Sequence, residues 1–165
     1  MIPPDTQHVS LRNAILWIAY GNAEPPNDYT GNELWFSKEK EIKDARSALW
    51  SALENGTLEA SAIGSDGTPV TIAKHEWRFL FGRYVPNYSF ELGQFVGRSQ
   101  TVVRQTVGDG LYVKNPYRPA MSLSGVEGPP RFIRVAIPRD SLLFIWPPRV
   151  QATAAPRTPI DYESD

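Results

Sequence analysis

Residues 37–56, SKEKEIKDARSALWSALENG, carry the clearest periodic pattern in the chain. Their apolar members recur at helical spacing and share one face, opposite a face of charged and hydroxyl residues. The apolar face consists of Ile42, Ala45, Leu49, Ala52 and Leu53. The pattern predicts an amphipathic helix that begins at Ser37 and ends at Gly56. Leu49 and Leu53 should be buried, whereas Lys43 and Ser51 should be exposed.

The segments on either side of this helix predict another helix and a β-hairpin. Ser10 is a favourable N-cap, and Gly21 is a favourable stop for a helix between the two. After the long helix, two short alternating segments, Thr57–Gly64 and Pro69–Ala73, flank the dipeptide Asp66-Gly67. This arrangement is typical of a tight hairpin turn.

The second half of the chain predicts strands more than helices. We expect a short helix from Lys74 that ends at Gly82, and a turn at Gly108-Asp109-Gly110. Alternation predicts strands at Phe90–Val96, Thr101–Val107, Leu111–Lys114 and Arg131–Ile137. The predicted fold class is α+β: two N-terminal helices and a β-hairpin followed by an antiparallel sheet, in a single domain over residues 8–148. Residues 151–165 are expected to be a disordered tail.

Composition excludes several classes of protein. The 165 residues suit one domain, and 41% of them are hydrophobic, which is enough to build one core. Because the chain has no cysteine, it can contain no disulfides. No run of about 18 apolar residues and no signal peptide is recognisable, so we expect a cytoplasmic protein without a membrane segment. His8 and His75 lack partners at metal-ligand spacing, and no cofactor motif is present. No metal and no cofactor is therefore predicted.

Two patterns of spaced residues indicate a resemblance that composition alone does not. One is Ala45-x3-Leu49-x2-Ala52-Leu53-x2-Gly56-x-Leu58-x-Ala60, and the other is Val135-x-Ile137-x-Arg139-x-Ser141-Leu142-Leu143-x-x-Trp146-Pro147. In both, the chain resembles a loosely defined group of small uncharacterised bacterial proteins with no assigned activity. The resemblance covers half of the chain and implies core positions and turns, but no catalytic residues.

Charge is placed unevenly along a chain whose net charge is −1. Residues 76–150 hold 10 Lys/Arg against 5 Asp/Glu, and every cation among them except Lys114 is an arginine. Arginine binds phosphate and carboxylate through a planar fork of donors. This half therefore favours an anionic partner, with nucleic acid as one candidate, and the alternative is that the arginines are scattered over the surface. The candidate binding residues are Arg78, Arg83, Arg98 and Arg104.

The leading functional prediction is a non-enzymatic binding or adaptor protein whose partner is nucleic acid or another protein. A homo-oligomer is compatible with this prediction. The alternative is a small metal-independent nuclease or toxin-like enzyme, in which a histidine moves protons while arginine and tyrosine side chains hold phosphate. Its candidate catalytic residues are His75, Arg78, Arg83 and Tyr84. An enzyme requires these side chains to converge on one concave site, whereas a binding protein does not.

Overall fold

A computed structural model describes residues 7–64, 66–96, 99–114 and 130–149, with the side chains of all of these except 86–96 and 99–107. The helices are α1 (Leu11–Tyr20), α2 (Glu33–Phe36), α3 (Lys40–Glu54), a 3-10 helix (Lys74–Phe79) and α4 (Arg139–Ile145). The strands are β1 (His8–Val9), β2 (Ser61–Gly64), β3 (Pro69–Thr71), β4 (Leu80–Val96), β5 (Ser99–Val113) and β6 (Phe132–Pro138). The predicted α+β class is confirmed.

The strands form one antiparallel sheet on which the helices pack. Its order is β3-β2-β6-β5-β4, and β1 pairs separately with the end of β6. Helices α1 and α3 contact each other, and their buried faces join residues of the sheet in a single hydrophobic core. Among the described residues, β6 pairs with β5 at Gly110 and Leu111, and β5 pairs with β4 along most of the length of both strands.

The N-terminal half follows the sequence prediction closely. The Ser10 hydroxyl accepts from the Asn13 amide and caps α1, and Gly21 ends this helix with a φ of 63°. In α3, Leu49 and Leu53 are fully buried while Lys43 and Ser51 are exposed, as predicted. The predicted hairpin is formed by β2 and β3.

The start of α3 lies three residues later than predicted. The short helix α2 precedes it, and residues 37–39 form an extended connection in which the Glu39 amide donates to the Ser37 hydroxyl over 3.1 Å. Ser37 therefore organises the turn before the helix instead of capping the helix itself.

Two predictions for the second half are wrong. Leu80–Gly82 belongs to β4, so the preceding short helix ends at Phe79. Gly108-Asp109-Gly110 is not a turn but part of strand β5: Gly110 pairs with Arg83 and Asp109 with Tyr84, and the register shifts between Tyr84 and Tyr88. Residues 115–129 and the predicted tail over 151–165 lie outside the described residues. Within the described residues, no helix has both the length and the apolarity needed to cross a membrane.

Candidate binding cleft

A cleft of about 270 Å³ lies between the helices and the outer edge of β4. We call it the tryptophan cleft. Its apolar lining comes from Trp35, Phe36, Trp50, Leu80 and Phe81, its polar lining comes from Arg46, Ser47 and Lys114, and Gly82 also lines it. Helices α2 and α3 thus supply one wall, and the first residues of β4 supply the other.

The tryptophan side chains are fixed by hydrogen bonds as well as by packing. Trp50 lies edge-on between Trp35 and Trp77, with ring centroids 6.3 and 5.3 Å apart. The indole Nε1 of Trp35 donates to Asp109 Oδ1 over 2.7 Å, and that of Trp50 donates to the Leu80 carbonyl over 3.2 Å. These contacts hold the aromatic rings in place, so the shape of the cleft exists before any ligand arrives.

Gly82 is required by the close approach of Trp35. A Cβ atom at this position would lie 2.2 Å from Cζ3 of the Trp35 ring and 2.4 Å from its Cη2. Real Cβ atoms do not come so close to an aromatic ring, so no side chain fits at this position while the ring stays where it is. The sequence prediction that Gly82 ends a helix missed this role.

The edge of β4 is partly covered by side chains. Asn32 takes the place of a neighbouring strand at Tyr84: its Oδ1 accepts from the Tyr84 amide over 2.8 Å, and its Nδ2 donates to the Tyr84 carbonyl over 3.0 Å. Trp50 covers the Leu80 carbonyl in the same way. Between these two positions lies Gly82, which is buried.

Two cations line the cleft without a carboxylate partner among the described residues. The Arg46 guanidinium donates to the carbonyls of Leu34, over 2.6 Å, and Ser37, over 3.0 Å. Burial lowers the pKa of Arg46 from its ordinary value, yet the ordinary value is so high that the side chain stays charged at neutral pH. Lys114 is exposed at the rim. The cleft therefore combines aromatic surface with positive charge.

A second, polar hollow of about 330 Å³ continues along the same side of α3. It is lined by Ser51, Glu54, Asn55, Lys74 and Arg78. In sequence, Phe79 lies between Arg78, which lines the hollow, and Leu80, which lines the cleft. It is 54% exposed, and the Arg78 guanidinium carbon is 5.8 Å from its ring centroid. The Lys114 amide donates to the Phe79 carbonyl over 2.7 Å, so the backbone of Phe79 lies beside that of the cleft residue Lys114. We call the two depressions with Phe79 the α3 groove.

The structure separates the site residues proposed from sequence. His75 and Arg78 are exposed on the 3-10 helix. Arg83, however, is only 7% exposed and lies with its guanidinium carbon 5.8 Å from the centroid of Phe36. Arg98 lies outside the described residues, and Arg104 is described by its backbone alone in β5. Among the described side chains, Arg78 therefore borders the α3 groove, whereas Arg83 is buried.

Tyr84, the remaining candidate, belongs to a structural network. Its ring contacts the Arg12 guanidinium, whose carbon lies 5.2 Å from the ring centroid. Arg12 binds Asp109 through both carboxylate oxygens, at 2.8 and 2.7 Å, and also donates to the carbonyls of Tyr29 and Gly31. This network ties α1 to β4 and β5. Its groups are engaged with one another, so it serves the fold.

Sequence reasoning missed the residues that form the cleft, namely Trp35, Arg46, Trp50 and Lys114. One signal was available: on α3, Arg46 and Trp50 are one helical turn apart at the border of the apolar face, where side chains are half-buried. The described residues hold no cluster of three or more side chains suited to a metal ion.

No protein-family model matches the chain, and neither does any curated protein or solved structure. The geometry and chemistry of the α3 groove therefore carry the functional inference.

Proposed function

We propose that this protein is a non-enzymatic binding protein for an anionic partner, and that the partner is single-stranded nucleic acid held in the α3 groove. The observation that carries the proposal is the combination of pre-formed aromatic walls, from Trp35 and Trp50, with two cations, Arg46 and Lys114, that have no carboxylate partner among the described residues. This combination suits a ligand that has both flat rings and negative charges.

The chemistry of single-stranded nucleic acid fits both parts of the groove. Bases stack on aromatic rings whatever their identity, and phosphates attract lysine and arginine without geometric selectivity. The exposed Phe79 ring with Arg78 beside it extends this chemistry from the cleft into the polar hollow. A duplex, whose bases are stacked inside the helix, could use the cations but not the aromatic walls.

The nuclease alternative stays a prediction that the geometry favours less. Proton transfer and phosphate binding need the catalytic groups within hydrogen-bonding reach of one reacting group. Among the described side chains, His75 is exposed on the 3-10 helix, while Arg83 contacts Phe36 and Tyr84 contacts Arg12. Binding without cleavage requires no such convergence.

The proposal is tested by fluorescence anisotropy with labelled single-stranded and duplex DNA and RNA at low and moderate salt. We expect single strands to bind more tightly than duplexes, with an affinity that falls as salt rises because counterions are released. Lys114→Ala or Arg78→Ala should weaken binding to every sequence alike and lower the salt slope by about 1 each. Phe79→Ala should remove a stacking surface, which is worth about 1–3 kcal/mol per base.

The chain offers matched controls for both kinds of substitution. Lys40→Ala removes an exposed cation that pairs with Asp44 and does not line the groove. Phe144→Ala removes a ring that is 88% exposed on α4. Both control variants should bind as the wild type does. Absence of binding at low salt would refute the proposal, and RNA cleavage without added metal, abolished by His75→Ala, would establish the nuclease alternative instead.

A further inference from the structure

The backbone of Gly82 directs its hydrogen-bonding groups into the tryptophan cleft. In an antiparallel strand, alternate residues direct their N–H and C=O groups to the same side. Tyr84 and Leu80 direct theirs to the outer edge. There Asn32 binds both groups of Tyr84, Trp50 donates to the Leu80 carbonyl, and the Leu80 amide donates to the Trp77 carbonyl. Gly82 lies midway between these two and pairs with Leu111 in the β4–β5 ladder, so its N–H and C=O also point outward.

These two groups have no partner within the described residues, although Gly82 is buried. Buried backbone donors and acceptors are almost always satisfied, by protein, by water or by a ligand. The neighbouring positions on the edge are already occupied by side chains, and the cleft gives access to this one. A donor and an acceptor, side by side, are thus presented to whatever enters the tryptophan cleft.

We propose that the Gly82 backbone binds the donor–acceptor edge of a nucleobase, so that the tryptophan cleft holds one base while the cations hold phosphate. This inference rests on the proposed function and names the group that the cleft recognises. The contact between the Asn32 side chain and Tyr84 of the same strand, β4, is a model for this binding. Its flat carboxamide, with one donor and one acceptor on a single edge, binds both backbone groups of Tyr84.

A nucleobase fits this site better than an added peptide strand does. Peptide strands bind a sheet edge through main-chain hydrogen bonds at several positions in register. Within the tryptophan cleft a single such position, Gly82, is available among residues 80–84, because Asn32 and Trp50 occupy the positions on either side of it. A volume of about 270 Å³ is also at the small end for a ligand site, which suits a single ring system.

The test compares oligonucleotides whose base edges are intact or blocked. The probes are octamers of uridylate and adenylate, the same octamers carrying N3-methyluridine or N6,N6-dimethyladenine, and an abasic octamer. Methylation removes the donor and keeps the ring and the phosphates. We expect methylation to weaken binding by about tenfold or more in at least one series, the cost of losing one two-bond contact to a base. The abasic octamer should bind more weakly still.

Amide NMR of the wild-type protein localises the effect. The Gly82 amide resonance should move with an unmodified octamer and should stay in place with its methylated form, while Lys114 responds to both. Equal affinity for methylated and unmodified octamers in both series would overturn base-edge recognition and leave anion binding standing. Failure of every octamer to bind at low salt would overturn the proposed function together with this inference.

Discussion

Replacing Gly82 by alanine tests the packing on which the cleft depends. The new Cβ would lie 2.2–2.5 Å from three carbon atoms of the Trp35 ring, so the ring has to move. Overpacking of this kind costs about 1–3 kcal/mol. Movement of the ring also strains or breaks the 2.7 Å hydrogen bond from its indole to the Asp109 carboxylate, and a bond to a charged group is worth about 1.5–3 kcal/mol.

Together these effects predict that Gly82→Ala lowers the free energy of unfolding by about 3–5 kcal/mol. Typical total stabilities are about 5–15 kcal/mol, so the loss is a large fraction. For a chain of this size, it corresponds to a fall in Tm of about 6–20 °C. Urea denaturation followed by tryptophan fluorescence measures the change directly, because a lower midpoint with an unchanged slope reports stability alone.

Two further variants make this prediction specific. Gly64→Ala adds the same methyl group in β2, where the nearest atom is 3.4 Å away, and should change stability by no more than about 0.5 kcal/mol. In a Trp35→Phe background, the smaller ring leaves room, so Gly82→Ala should cost less than it does in the wild type. A cost under about 1 kcal/mol in the wild type, or equal costs in both backgrounds, would refute the proposed contact.

Three other changes probe the fold outside the cleft. Leu49→Ala should lower the free energy of unfolding by about 2–5 kcal/mol in urea denaturation, since its side chain is fully buried. Gly67→Val should lower it by about 1–3 kcal/mol, because the φ of 87° strains a β-branched residue, and an unchanged midpoint would contradict this. Hydrogen bonds from Thr68 lower the pKa of Asp66, so this carboxylate favours folding above its ordinary pKa and loses that contribution as pH falls through the lowered value. Thr68→Val should raise the Asp66 pKa towards its ordinary value in a carboxyl-carbon NMR titration, and no rise would show that the Thr68 hydroxyl has no part in the shift.

Local signals explain why the N-terminal half could be predicted from sequence. A helix cap such as Ser10 and a turn such as Asp66-Gly67 act within a few residues of themselves, and the periodic face of α3 needs only a core to pack against. The error in the predicted start of α3, at Ser37, also comes from reading a local signal. Ser37 has the chemistry of a helix start, but α2 directly before it changes the path of the chain.

Contacts between distant residues explain the errors in the second half. Gly108-Asp109-Gly110 has the composition of a turn, yet Asp109 is held in β5 by Arg12 and Trp35, which lie far away in sequence. The candidate binding arginines were predicted to act together because they are near one another in sequence, as Arg78 and Arg83 are. One is exposed and the other is buried, because β4 begins between them.

The bond between Arg12 and Asp109 joins residues that are 97 positions apart, so the ribosome synthesises the two partners at different times. Ribosomes add about 5–20 residues per second, so roughly 5–20 seconds separate the synthesis of the two partners. During that interval the Arg12 guanidinium lacks the Asp109 carboxylate that it binds in the folded protein. The interval between the synthesis of β1 and that of its partner β6 is longer still, because β6 is synthesised after β5. Among the described helices, α1 is synthesised first, yet the partners that fix it in place are synthesised near the end of the described chain.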